Sequence, residues 1–287
     1  IIPKKLRRHV ICVYNFARLA DDVADEGELK LSERMRLLNL FRDVLDSQHE
    51  LHTVSMEKKS IEEKIIFTSI SAKSSLAELK IPHYLLINLL DAFRYDADFK
   101  EFENWHAIFE YCKNSANPIG RILLKIFGYD NLLDQKKKYL ELIYKKSDAI
   151  CTGLQMINFA QDATEDDAKG RTTFPRTIWP KKIKLLEKNQ FSEISQKNKE
   201  FLVKEMITKG HQKLLEGKDL PKLLKKNYSN YTFRFALEIS LIIECGLLIS
   251  KKIMDNPGQV WKTPPKLKFL DMPKLFLSAL FNVILKR

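Results

Sequence analysis

Apolar residues recur every three to four positions through most of the chain, and strict alternation of apolar and polar residues is rare. This spacing is typical of amphipathic α-helices, whereas half-buried strands alternate with a period of two. The pattern therefore predicts an all-α protein. The predicted helices span approximately residues 4–25, 32–47, 60–78, 83–97, 103–115, 118–127, 135–166, 197–216, 228–254 and 271–286.

Two segments interrupt the helical pattern. Residues 167–180 contain Gly170, Pro175 and Pro180, and residues 256–265 contain a second group of glycine and prolines. Both residue types break helical continuation. No repeat, low-complexity tract or linker divides the sequence, so we predict a single domain over residues 1–287. Only nine glycines in 287 residues also argue against an all-β sandwich or barrel, which needs many turns.

The charge balance points to an anionic partner. Lys and Arg total 49 against 37 Asp and Glu, a net charge of +12. Such an excess attracts nucleic acid, phosphorylated metabolites or an acidic membrane surface. The four cysteines have no paired spacing and indicate a reduced, cytoplasmic protein without a disulfide framework or zinc site. Neither of the two longest apolar stretches, residues 235–249 and 275–285, is suited to crossing a bilayer, which takes about 20 apolar residues.

Two predicted helices carry an acidic stripe. On a helix that turns 100° per residue, the first stripe lies within about 60°. Its members are Tyr14, Arg18, Asp21 and Asp25. The second stripe also ends in two carboxylates four residues apart, and its members are Gln155, Asn158, Asp162 and Asp166. Like charges at this spacing repel each other, so both stripes need an explanation.

Magnesium coordination explains the stripes better than exposure does. A single pair of aspartates at i, i+4 is usually a solvated face, but the second stripe belongs to an otherwise apolar helix. Buried carboxylates need partners, because an unpaired charge there costs several kcal/mol. Two such stripes suggest carboxylates that converge across a cavity, and oxygen ligands suit Mg²⁺ bridged to substrate phosphates. Lys169 and Arg171 follow the second stripe and suit a diphosphate.

At these residues the sequence resembles the squalene/phytoene synthase family of class I isoprenoid synthases. The paired acidic motifs of that family resemble ARLADDVAD and NFAQDATEDDAKGR, and two further segments resemble LLDAFRYD and YCKNSANPIGR. The resemblance covers about residues 7–175 in four ordered motifs. It implies an all-α, single-domain isoprenoid synthase fold whose helices surround a central apolar cavity lined in part by aromatic rings.

Within the family, SANPIGR and DAICTGLQMINFAQD look most like the bacterial hydroxysqualene synthase branch of squalene and hopanoid biosynthesis. The resemblance implies Mg²⁺-dependent conversion of presqualene diphosphate to hydroxysqualene with release of diphosphate, a carbon–oxygen lyase reaction that needs no NADPH. It also implies metal ligands at Asp21, Asp25, Asp162 and Asp166. Diphosphate would bind at Arg18, Gln155, Lys169 and Arg171, and the catalytic positions would be Tyr14, Tyr111 and Asn158.

Three departures from the family pattern qualify this assignment. The family commonly has Tyr where this chain has Thr173, so no catalytic role is assigned there. Family members also have a segment before the first helix that grips the diphosphate, and the sequence begins after it. We expect no hydrophobic anchor after the last motif. Residues 267–287 are basic and amphipathic, and we expect them to pack on the helical body, with peripheral membrane docking as the alternative.

Other functions stay open. The nearest is condensation of two farnesyl diphosphates to presqualene diphosphate, or onward to squalene with NADPH, although no glycine-rich dinucleotide motif is visible. A basic helical nucleic-acid binder or a scaffold without activity would leave the acidic stripes unexplained, and the stripes would repel nucleic-acid phosphates. We therefore expect an isoprenoid diphosphate as partner, no nucleic acid, and contact with other enzymes of the squalene pathway.

Overall fold

The computed structural model describes residues 2–47, 60–129, 137–180, 194–225 and 232–284. Within these ranges every regular element is helical, so the all-α prediction is confirmed. The α-helices are α1 (Lys4–Asp25), α2 (Leu31–Asp46), α3 (Ile61–Glu78), α4 (Tyr84–Ala97), α5 (Trp105–Ser115), α6 (Asn117–Ile126), α7 (Lys137–Gln161), α8 (Ala163–Ala168), α9 (Gln196–Gly217), α10 (Leu220–Lys225), α11 (Thr232–Asp255) and α12 (Met272–Ile284). Short 3₁₀ helices cover Arg176–Ile178, Pro257–Trp261 and Phe269–Asp271.

The described residues form two compact units. The N-terminal unit comprises residues 2–47, 60–100 and 113–129, and the C-terminal unit comprises residues 101–112, 137–180, 194–225 and 232–284. In chain order, the boundary passes through α5, between Cys112 and Lys113. The expectation of one domain stays a prediction.

In the N-terminal unit, α1 packs against α2, α3, α4 and α6. Its buried positions include Val13, Phe16, Ala20 and Val23, which follow the spacing of one helical face. Phe16 is fully buried and meets the ring of Phe41 on α2 edge to face, with 5.3 Å between the ring centroids. Burial of this face fixes α1 along its length, so its opposite side presents the acidic stripe in one register.

In the C-terminal unit, α7 and α9 approach each other through glycines. A Cβ atom on Gly153 of α7 would lie 2.8 Å from the backbone oxygen of Gly210 on α9. On Gly217, a Cβ atom would lie 2.4 Å from Cγ1 of Ile150. Side chains at these positions would force the helices apart, so the small residues permit a close crossing.

The single helix predicted over residues 135–166 is wrong in one respect that concerns the site. Helix α7 ends at Gln161, and α8 begins at Ala163 after Asp162 leaves helical geometry, with φ −88° and ψ 3°. The hydrogen bonds from Asp162 N to Asn158 O and from Asp166 N to Asp162 O, both 2.9 Å, keep the chain turning through this break. Aspartate favours such helix-start positions over helix interiors, which accounts for the difference.

Short helix α10 was not predicted, because its six residues contain too little periodicity to recognise. The predicted non-helical segments at 167–180 and 256–265 are confirmed apart from Asp167 and Ala168, which end α8, and the two short 3₁₀ helices. Among the helices that the structure describes, none combines the length and apolar character needed to cross a membrane.

Candidate functional site

The first acidic stripe lies on α1 in the N-terminal unit. Its single arginine, Arg18, is engaged by carboxylates of the same helix end. Arg18 forms ion pairs of 2.8 Å with Asp22 and Glu26, and one of 3.5 Å with Asp21. Partial burial raises the pKa of Asp21, and the neighbouring carboxylates raise it further against the opposing effect of Arg18. Negative charge is therefore in excess here, as a cation site requires.

Arg34 on α2 holds the end of α1, although the sequence patterns did not single it out. Its guanidinium donates to three backbone oxygens, those of Val23 at 2.7 Å, Gly27 at 2.9 Å and Leu29 at 3.2 Å. The last carbonyls of a helix have no intrahelical partner, and Arg34 supplies one. The turn itself needs Gly27, whose φ is +72°. Arg34 thereby positions the segment that carries Asp25.

Tyr14 stands on the same stripe and its side chain is 64% exposed. Most of the ring is therefore open to solvent, and its predicted catalytic role stays a prediction. Asp25 is half-buried one turn after Asp21. The structure therefore brings the four predicted members of this stripe onto one helix face, as the 3.6-residue period requires.

The second acidic stripe spans the break between α7 and α8 in the C-terminal unit. Asn158 donates from Nδ2 to Oδ2 of Asp162 at 2.7 Å. Burial raises the pKa of Asp162 to about 6, and the negative charges of Asp166 and Glu165 add to this effect, while Asn158 and Lys169 oppose it. The charged form of Asp162 is therefore destabilised, and a nearby cation would stabilise it.

Asp166 is buried and paired. Only 6% of the residue is exposed, and Nε of Arg171 donates to its Oδ1 at 2.7 Å. Arg171 was predicted to bind a diphosphate, and in the structure it holds one of the predicted metal ligands. Lys169 lies between the members of this pair along the chain and is exposed, and Gln155 lies before the pair on α7 and is half-buried.

Two residues that the sequence analysis missed hold α8 in place. Lys199 on α9 pairs with Oδ2 of Asp167 at 3.1 Å, and its ammonium lies 4.8 Å from the ring centroid of Trp261. The hydroxyl of Thr164 on α8 donates to the backbone oxygen of Val260 at 3.0 Å. Lys199 lies 32 positions after Asp167 in the chain, so no local spacing in the sequence could identify the pair.

Tyr111 belongs to a cluster of three rings in the C-terminal unit. Its ring centroid lies 5.4 Å from that of Phe102 and 5.7 Å from that of Phe159. These distances are typical of stabilising aromatic pairs, so Tyr111 helps to join α5 and α7. Thr173, where the family commonly has Tyr, is buried. Its hydroxyl has no hydrogen-bond partner among the described residues.

A cavity of about 400 Å³ lies beside the second acidic stripe, between α7 and α11. Asn158 and Gln161 contribute the polar part of its wall, and Gly246 and Cys245 contribute small residues. The rest of the wall is aliphatic, from Leu154, Ile157, Leu241, Ile242, Ile249 and Leu267. The expected aromatic lining is not found in the described wall of this cavity, because the rings cluster instead around Tyr111. This volume is in the range of small-molecule pockets.

The donor chemistry of both stripes fits Mg²⁺. Each offers aspartate oxygens in an environment that raises the pKa of one carboxyl, and carboxylate oxygen is the ligand that this ion prefers. Among the described residues, no three His, Cys, Asp or Glu side chains form a compact cluster that could enclose a metal ion. Magnesium is commonly held by one or two carboxylates together with water and substrate phosphate.

The family model described as Squalene/phytoene synthase matches residues 1–262. Hydroxysqualene synthase of Zymomonas mobilis is 31% identical over 168 residues, which are 58% of this chain and 48% of that protein. Hydroxysqualene synthase of Rhodopseudomonas palustris is 29% identical over 179 residues, 62% of this chain and 53% of that protein. The chain thus spans about half the length of the curated relatives it matches.

Among solved structures, a squalene synthase designated HpnC from Alicyclobacillus acidocaldarius has a TM-score of 0.64 to this chain at 24% identity. The match covers 92% of this chain and 87% of that one. At this identity the likeness shows the fold, and it agrees with the helical architecture described above.

Proposed function

Because the chain belongs to the squalene/phytoene synthase family, we propose that it converts presqualene diphosphate to hydroxysqualene with release of diphosphate. The observation that carries the proposal is the position of Asn158 and Asp162. Asn158 lines an aliphatic cavity and donates a hydrogen bond to Asp162, so the proposed binding positions of the polar head and the hydrocarbon chain are adjacent. The relatives named hydroxysqualene synthase support the choice of reaction.

The proposed reaction balances with water as the second reactant. The carbon–oxygen bond to the diphosphate breaks, and its electron pair leaves with the diphosphate. The cyclopropylcarbinyl cation rearranges, water adds to the rearranged cation, and one proton passes to solvent. No redox step occurs, so the proposal requires no NADPH. Mg²⁺, when bound, neutralises the negative charge that develops on the departing diphosphate.

The acidic residues are proposed as the magnesium ligands, Asp21 and Asp25 in the N-terminal unit and Asp162 and Asp166 in the C-terminal unit. Arg171 fixes one oxygen of Asp166 through its 2.7 Å hydrogen bond. Asn158 fixes one oxygen of Asp162 in the same way. Carboxylates held in advance lose less entropy when a cation binds, which favours binding.

The basic and amide side chains are proposed to bind the diphosphate. Lys169 directly follows α8 and is exposed to solvent, where its ammonium group is proposed to contact the diphosphate. Gln155 lies one turn before Asn158 on α7. Arg18 and Arg171 pair with carboxylates in the structure, and their proposed contacts with the diphosphate would be made beside these pairs, since a guanidinium carries five N–H donors.

The hydrocarbon part is proposed to occupy the cavity between α7 and α11. Aliphatic walls exclude water, which protects a carbocation from capture until it has rearranged. Gln161 is held at the polar edge, where its Nε2 donates to the backbone oxygen of Pro265 at 2.8 Å. Tyr14 and Tyr111 are not among the residues that line this cavity, so a contact of their rings with the cation stays a prediction from the sequence.

Condensation of two farnesyl diphosphates is the second candidate. The family model is described by both squalene and phytoene synthases, and the structural neighbour is titled a squalene synthase. Against it stands the segment Ser115–Ala116–Asn117–Pro118, which resembles the hydroxysqualene-forming branch.

Product analysis by mass spectrometry tests the proposal. One reaction contains presqualene diphosphate, a second contains farnesyl diphosphate, and both contain Mg²⁺ without NADPH. We expect hydroxysqualene from the first and no consumption of substrate in the second. Consumption of farnesyl diphosphate would move the protein to the condensing branch. An Asp25→Asn variant should be inactive, and near-normal activity in that variant would contradict the metal assignment.

A further inference from the structure

The most exposed large apolar side chains of the described protein stand at one tip of the C-terminal unit. Phe269 is 89% exposed and Leu270 is 86% exposed, in the 3₁₀ turn that precedes α12. We refer to these two residues as the apolar tip. Isolated exposed apolar residues are ordinary, but adjacent ones that project almost completely into solvent mark an interaction site.

The apolar tip continues into one side of α12. The inner side of this helix is buried through Leu275, Ala279 and Val283. It packs on α11, where the hydroxyl of Ser240 donates to the backbone oxygen of Ala279 at 3.2 Å. The outer side is exposed although it is also apolar, and its members are Phe276, Leu277, Phe281 and Ile284. We refer to these four residues as the apolar face. A helix that is apolar on both sides is normally covered on both.

The surroundings of the apolar tip are strongly basic. Residues 256–284 contain four lysines, all exposed, at Lys262, Lys266, Lys268 and Lys274. The segment has one acidic residue, Asp271, and Nζ of Lys252 pairs with its Oδ2 at 2.7 Å. Lys252 neutralises Asp271, and the carboxylate of Glu244 on α11 accepts hydrogen bonds from Ser278 and Asn282 of α12. The four lysines exceed this remaining negative charge, so the net charge beside the apolar residues is positive.

From this arrangement we propose that the apolar tip and the apolar face dock on an anionic lipid bilayer. The rings and aliphatic chains enter the interface between headgroups and acyl chains, and the four lysines pair with lipid phosphates. This combination of apolar insertion and basic charge is how surface-bound helices attach to membranes. A second copy of the chain is a poorer occupant, because a twofold contact would bring the same lysines of both copies together.

Docking would also orient the cavity. Leu267 is part of the cavity wall and lies two residues before Phe269, so the cavity and the apolar tip share one segment. If the proposed function holds, an apolar product leaves the cavity next to the acyl chains rather than into water. Only this consequence rests on the proposed function, since the docking itself requires no substrate.

Vesicle co-sedimentation of the 287-residue chain tests the docking without substrate. The vesicles contain phosphatidylcholine alone or with about one part in three of phosphatidylglycerol. We expect the protein to sediment with the anionic vesicles at low salt and to bind them less at high salt. The double variant Phe269→Ser, Leu270→Ser should lower the bound fraction at least about tenfold, because it removes most of the inserted apolar area.

Two further variants keep the test independent of folding defects. Lys266→Gln together with Lys268→Gln should lower binding to anionic vesicles about tenfold and leave the apolar tip intact. Phe201→Ser, at a partly exposed phenylalanine on α9, is the matched control and should bind like the unchanged protein. The proposal fails if the unchanged chain sediments with neither kind of vesicle. It also fails if the apolar-tip variant binds the anionic vesicles as strongly as the unchanged chain does. The proposal would also be overturned if the unchanged chain formed dimers that the apolar-tip variant dissociates, and neither protein bound lipid. The occupant of the apolar tip would then be a second copy of the chain.

Discussion

At the scale of residues, an arginine pairs with carboxylates at each acidic stripe. Arg18 of the first stripe pairs with the neighbouring Asp22 and Glu26, and Arg171, which follows the second stripe, pairs with its Asp166. These pairs stabilise the charged form of some carboxylates, whereas the charged form of others is destabilised. Asp162 is the clearest strained case, because burial and its neighbours raise its pKa to about 6. Strain of this kind at a predicted metal ligand is typical of functional sites.

We expect Asp162→Asn to abolish turnover and to stabilise the fold. The carboxyl titrates at 3.8 as a free group and at about 6 in the folded chain, so the folded state binds the extra proton between these values. The contribution of this carboxyl to the free energy of unfolding therefore falls as the pH rises from about 4 to about 6, and it is constant above about pH 6. Without Mg²⁺, the variant should be more stable by about 1 kcal/mol at neutral pH, after solvent screening.

Denaturant unfolding at pH 5 and pH 7.5, in chelator, measures this gain. The difference between variant and unchanged protein should be smaller at the lower pH, where Asp162 retains its proton. Glu165→Gln is the matched control, since Glu165 is exposed and neighbours the same carboxyl. A variant that is less stable than the unchanged protein at neutral pH would contradict the strained state of Asp162.

Thr173→Val should leave turnover unchanged and raise stability by up to about 1 kcal/mol, because a buried hydroxyl without a partner costs free energy. Valine has nearly the same shape, so packing is preserved while the hydroxyl is lost. Thermal unfolding and steady-state kinetics measure the two effects. A large fall in kcat with normal stability would show that this hydroxyl contacts the substrate.

At the scale of elements, the break between α7 and α8 places Asp162 at a helix junction rather than within a helix. The hydrophobic period predicted the two acidic stripes and most helix ends to within one or two residues. It could not predict the break, because apolar positions continue in phase across it through Phe159, Ala160 and Ala163. The preference of aspartate for helix starts was the local signal that could have indicated it.

The glycine crossing of α7 and α9 gives a stability prediction. Gly153→Ala should lower the free energy of unfolding by about 2 kcal/mol, because the new methyl group meets backbone atoms of α9 that cannot move alone. Gly246→Ala is the matched control. The nearest atoms to its methyl group would be side-chain ends, those of Leu214, Leu154 and Ile157, so we expect a change within about 1 kcal/mol. Urea unfolding measures both changes. Equal losses of unfolding free energy in the two variants would contradict the view that backbone atoms of α9 limit how closely α7 can approach.

The cavity between α7 and α11 gives a kinetic prediction. Cys245→Phe places a ring in the aliphatic wall, so the KM for presqualene diphosphate should rise at least about tenfold with a smaller effect on kcat. Cys245→Ser keeps the volume and should behave nearly like the unchanged protein. Steady-state kinetics of both variants decide the matter, and normal kinetics for Cys245→Phe would show that the hydrocarbon chain lies elsewhere.

At the scale of the whole molecule, the sequence predicted the helical class and the family, and the match to residues 1–262 confirms the family. The residues that hold the site were harder to predict. Arg34 and Lys199 act through contacts with distant or backbone groups, so no spacing in the sequence reveals them. For the segment that contains α12, the sequence predicted packing on the helical body with membrane docking as the alternative, and only the fold shows which side of the helix is uncovered.

The origin of the product oxygen tests the central claim most directly. Presqualene diphosphate is turned over with Mg²⁺ in water enriched in ¹⁸O, and the organic product is analysed by mass spectrometry. Capture of the cation by water predicts hydroxysqualene that carries one ¹⁸O atom, and Asp162→Asn should give none of this product. Squalene formed only on addition of NADPH, or an alcohol whose oxygen is unlabelled, would contradict the account.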